Sequence, residues 1–171
     1  PVGGGEGGLG EFFGVFDEIT YAKGGAVLTM LEQWIGPAEF RRGLVAYMKG
    51  QRLSNATAAD LWHYIGRASG KDVADVAASW TDQPGFPLVQ VSSRCEAGEQ
   101  RVTLAQSRFS HGGPSGSAQR WKIPLRYARG QRAATLLLDG AQRTVAMGEC
   151  SDVPVIVNAG GVGFYRVAYE A

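Results

Sequence analysis

Histidine is nearly absent from this sequence. His63 and His111 are the only two, and 48 residues separate them. Hydrolytic metal sites commonly gather two histidines one helical turn apart, so this stretch by itself offers none. His63 follows Trp62 in a helical pattern and reads as a surface side chain. His111, in His-Gly-Gly-Pro-Ser-Gly, reads as part of a mobile loop. Cysteine is as scarce. Cys95 and Cys150 lie too far apart for a Cys-x-x-Cys pair and are too few for a disulfide framework. The reading taken is two separate thiols, with a single disulfide as the alternative, which leaves the redox compartment open. A cytoplasmic location is the leaning expectation.

Long apolar runs are missing too. None approaches the ~18 residues that mark a membrane span. The chain opens on Pro1 and a Gly-rich tract, with neither an initiator Met nor a basic-then-apolar signal, so a piece of a longer chain is expected. Gly5 to Gly10 fit G-x-G-x-x-G, but only Pro1 to Gly4 precede them, too little for the strand that a dinucleotide fingerprint requires. Serines are numerous, yet no G-x-S-x-G elbow is present.

What is present supports a folded chain: 44% hydrophobic and 19% charged residues allow a core and argue against disorder. The net charge is +1, which calls for no polyanion. Residues 1–86 carry −3 and residues 87–171 carry +4, a mild asymmetry.

That division coincides with a change of period. Val27, Met30, Leu31, Trp34 and Ile35 recur at helical spacing until Gly36, and Pro37 restarts the chain. Phe40, Leu44, Tyr47 and Met48 form a second stripe, closed by Gly50. A capping-box-like start, Thr57-Ala-Ala-Asp60, opens a third helix with Leu61, Trp62 and Ile65. A fourth carries Val73, Val76, Ala77 and Trp80.

Beyond Pro84-Gly85-Phe86-Pro87 the period becomes two. Trp121, Ile123, Leu125 and Tyr127 alternate with Arg120, Lys122, Pro124 and Arg126, a strand with one buried and one wet face. Tyr165, Val167 and Tyr169 form another, and five more strands fit between residues 88 and 157. The expected class is α+β: helices over 1–86, with 1–14 a flexible Gly-rich segment, then an antiparallel β-sandwich over 87–171. Arg120, Lys122, Arg126, Arg129 and Arg132 form a basic stripe. The aromatics of that strand fall on its other face, so a solvated surface is expected there rather than a nucleic-acid site.

Phe16-Asp17-Glu18-Ile19-Thr20-Tyr21-Ala22-Lys23-Gly24-Gly25 resembles a signature of the gluzincin zinc aminopeptidases of the aminopeptidase N type. The likeness continues through Met30-Leu31-Glu32, Gly43-Leu44, Asn55-Ala56-Thr57, Asp60-Leu61-Trp62 and Trp80 to Pro87. It returns at Val157-Asn158 and Gly163 to Val167. The resemblance implies the helical C-terminal part of a thermolysin-like catalytic domain followed by the β-sandwich. It also implies a parent with one zinc that hydrolyses N-terminal residues from peptides. It casts Tyr21 as the catalytic residue that stabilises the tetrahedral intermediate, while Lys23, Gly24 and Gly25 have positional roles, the glycines allowing close packing. Phenols stay protonated at neutral pH and can donate to an oxygen that gains negative charge.

The family's H-E-x-x-H, its further Glu ligand and its Gly-x-Met-x-Asn loop are missing here. The expected fragment therefore binds no zinc, is inactive alone, and packs on an upstream catalytic half. The rival readings are a non-catalytic β-sandwich binding module and a catalytically silent relative.

Overall fold

The structure is a computed structural model, and it describes residues 18–111 and 117–170. The expectation of a flexible segment at 1–14 and the G-x-G-x-x-G tract lie outside the described residues, as does most of the loop after His111.

Four helices come first: α1 (Glu18–Ile35), α2 (Pro37–Gly50), α3 (Ala58–Ser69) and α4 (Val73–Thr81). Seven strands follow: β1 (Pro87–Glu96), β2 (Glu99–Arg108), β3 (Ile123–Arg129), β4 (Arg132–Leu138), β5 (Gln142–Glu149), β6 (Val155–Val157) and β7 (Arg166–Tyr169). The α+β class expected from the two periods is the one observed.

Local chemistry sets the helix ends. Gly36 takes φ +105°, and its N–H closes α1 on Glu32 O at 2.8 Å. Pro37 then occupies the first turn of α2, where its missing N–H leaves nothing unpaired. Thr57 and Asp60 form a complete capping box. The Asp60 N–H donates to Thr57 Oγ1 at 3.3 Å, and the Thr57 N–H donates to Asp60 Oδ2 at 2.8 Å. These bonds to Thr57, its side chain first, hold the Asp60 carboxyl below its ordinary range.

In α2 the expected stripe is only partly buried. Phe40 is in the core, but Met48 is 69% exposed. Gly43 makes the close contact instead: a Cβ built there would lie 2.6 Å from Ile65 Cα, so α2 and α3 meet backbone to backbone.

The strands form two sheets, β5-β2-β1-β7 and β4-β3-β6, which make an open sandwich. Most pairings are antiparallel, as expected. β7 departs from this and runs parallel to β1, with Leu88 opposite Arg166 and Val91 opposite Tyr169. Side chains from the helices and from both sheets share one core, which includes Leu31, Ile65, Trp80, Val89, Leu104, Ile123 and Leu125.

The alternation in β3 also needs correction. Pro124 belongs to the expected wet face but is buried. The outer face there is roofed by α1, whose Met30, Gln33 and Trp34 stand over Pro124 and Arg126. The Arg126 guanidinium donates to Gln33 Oε1 at 3.3 Å. Cys95 and Cys150 are a disulfide, Cα to Cα 5.7 Å, not two separate thiols.

Candidate functional site

Tyr21 lies in the first turns of α1, and its side chain is 66% exposed. By the helical period, Gly24, Gly25 and Leu28 share its face. Cβ atoms built on Gly24 and Gly25 would meet nothing within 4 Å among the described residues. The close packing expected of these glycines is therefore not seen. They leave instead a bare strip of helix between Tyr21 and Leu28, which is itself 38% exposed.

Beside this strip runs an open apolar groove, lined by Lys23, Val27 and Leu28 of α1, Leu61 and Trp62 of α3, and Trp80 of α4. By sequence, Leu61 and Trp62 belong to the apolar face of a helix. They are half-buried, and the space over them is open. Periodicity marks which side chains share a face, not whether that face is covered, so this groove has no signal in the sequence.

The far end of α1 is held firmly. Lys71 Nζ donates to Trp34 O and lies 4.7 Å from the centre of the Trp34 ring. A cation at the carbonyl end of a helix meets its negative dipole. Partial burial lowers the Lys71 pKa, and Glu39 opposes the shift. α4 ties the helices to the strands: Trp80 Nε1 donates to Lys122 O at 3.0 Å, and its ring faces Trp121 at 6.4 Å.

Among the described residues, no group of three or more His, Cys, Asp or Glu could hold a metal ion. His63 is exposed and edge-on to Tyr64, and His111 is exposed beside Phe109. The described residues do not fit a zinc centre.

Four of the five residues of the basic stripe, Arg120, Lys122, Arg126 and Arg129, are engaged with the protein itself, and Arg132 is exposed. Lys122 pairs with Asp75. Arg129 donates to Met147 O, Glu149 O and Ser151 Oγ at 2.6–2.7 Å, and Arg120 donates to Ser117 O and Gln119 O. The motif near the chain's end is architectural. Asn158 takes φ +61° and exchanges two hydrogen bonds with Gly163. A Cβ on Gly163 would lie 2.0 Å from the Tyr165 ring.

Residues 10–80 match the peptidase family M1 domain. Leucyl aminopeptidase from Saccharolobus solfataricus is 40% identical, over 91% of this chain and 19% of that protein. Puromycin-sensitive aminopeptidase from Caenorhabditis elegans is 36% identical, over 91% of this chain and 17% of that protein. Glutamyl aminopeptidase from Mus musculus is 34% identical, over 94% of this chain and 17% of that protein. The chain thus spans less than a fifth of the length of each relative. The similarity is thus to peptidase family M1, carried by residues 10–80 and by relatives named as aminopeptidases.

Proposed function

We propose that the parent protein is an aminopeptidase that hydrolyses N-terminal residues from peptides, and that this chain contributes the Tyr21 phenol. The observation that carries the reading is the position of Tyr21. It is exposed at the start of a helix beside an open groove, inside the stretch that matches the family's domain. Attack of water on a peptide carbonyl builds negative charge on oxygen. A phenol O–H set beside that oxygen donates to it most strongly in the transition state.

Zinc belongs to this reading only through sequence elsewhere in the parent, since the described residues do not fit it. The chain alone is then inactive. Residues 1–86 would be the tail of the catalytic domain, and residues 87–171 a β-sandwich domain that shares its core. The bare strip at Gly24 and Gly25 and the groove over Leu61 and Trp62 support packing against an upstream catalytic half. Such packing removes exposed apolar surface from water.

Tyr21→Phe in the full-length enzyme tests the role. Turnover should fall by ~10²–10³, about 3–4 kcal/mol of lost transition-state stabilisation. Metal content should stay unchanged, because in this reading the phenol is not a metal ligand. Near-normal turnover rejects the assignment.

A further inference from the structure

β5 is an outer strand of the four-stranded sheet, and none of its eight side chains is fully buried. Only Val145 and Met147 rest against the core. Its ladder to β2 is also broken at one end. Glu99 lies opposite Glu149 but Arg101 lies opposite Ala146, so Met147 and Gly148 sit in a bulge, with Gly148 at φ +82°. The disulfide lies beside this break. Cys95 is next to last in β1, and Cys150 directly follows β5. The Cys150 N–H also donates to Gly98 O at 3.1 Å, and Arg129 of β3 holds the carbonyls of Met147 and Glu149. Cys95 is exposed and Cys150 half-buried, so the bond is within reach of a reagent in solution.

We propose that Cys95–Cys150 is a thiol–disulfide exchange site whose reduction releases β5 while the core stays folded. The co-reactant is a dithiol reductant. Its thiolate attacks one cysteine sulfur, the S–S bond breaks, and the other cysteine leaves as a thiolate that takes a proton. The reductant's second thiol then attacks the mixed disulfide and frees the first cysteine. Two electrons and two protons reach the protein, and the reductant departs as its own disulfide. Release is local because little burial holds β5. β5 adds only Val145 and Met147 to the rim of the core, while the fully buried Trp80, Trp121, Ile123 and Leu125 all lie on other parts of the chain.

Hydrogen exchange read by mass spectrometry on the full-length protein tests this, with and without dithiothreitol. Non-reducing peptide mapping should first find the 95–150 cross-link. After reduction, amides of residues 142–149 should exchange about tenfold faster or more, while those of 73–81 and 123–129 keep their rates. The C95S/C150S double variant should show the fast pattern without reductant. Two free thiols in untreated protein would overturn the proposal. So would a bond that dithiothreitol cannot open in the folded protein, unchanged exchange in 142–149, or loss of protection throughout the chain.

Discussion

Gln106 of β2 and Trp121, two residues before β3, exchange two hydrogen bonds. The Trp121 N–H donates to Gln106 Oε1 and Gln106 Nε2 donates to Trp121 O, both at 2.8 Å. Gln106 is the one buried polar side chain among the described residues, and Nε2 also reaches Gly140 O at 2.7 Å. One side chain on β2 thus satisfies three backbone groups, the two of Trp121 buried and the Gly140 carbonyl part-buried.

Gln106→Leu should therefore destabilise the protein well beyond the loss of one bond. A buried donor or acceptor left unpaired costs about 1–3 kcal/mol, and the expected total is about 2–4 kcal/mol in urea unfolding. A loss below about 1 kcal/mol would mean that water enters and takes over these groups.

Gly43→Ala presses a methyl against the Ile65 backbone, which cannot swing aside as a flexible side chain would. Overpacking of this kind costs about 1–3 kcal/mol. The expected readout is a lower melting temperature, with α2 and α3 displaced from each other.

Asp60 gives a pH prediction. Its carboxyl is lowered in the folded protein, so its contribution to stability is present above the ordinary value of 3.8 and is lost as pH falls through the lowered native value. Thr57→Ala should cost about 1 kcal/mol near neutrality. It should also flatten the acid limb of a stability-against-pH curve, and an unchanged limb would place that limb's origin elsewhere.

Gly25→Ala should act in opposite directions in two settings. In the 171-residue chain the new methyl meets none of the described residues within 4 Å, and the helix gains up to about 1 kcal/mol from the better helix former. In the full-length parent, where the proposal has this strip covered, the same substitution should lower both stability and turnover. Equal stabilisation in both would show that nothing packs there.

The sequence made some of this legible and hid the rest for physical reasons. Each helix and strand leaves its own period, and end signals such as Pro37 and Thr57–Asp60 act over three or four residues, so they can be read locally. Met48 and Pro124 were misjudged because burial depends on what lies opposite: α3 approaches α2 at Gly43, and α1 roofs β3. The disulfide had no local signal either, since β2 and β5 must pair before the two sulfurs can meet. Tyr21 was visible only through the motif around it. By composition alone, a tyrosine just before a helix stripe is a packing residue with a wet hydroxyl.

The parallel pairing of β1 with β7 has a consequence for synthesis. One flank of β1 stays unpaired until residues 166–169 have been made, nearly 80 positions later. Until then the growing chain presents a free row of peptide groups on a Val-rich segment, the kind of template that recruits other chains. Pairings this distant in sequence form slowly. Premature termination before Arg166 should thus yield insoluble product rather than a shortened soluble protein.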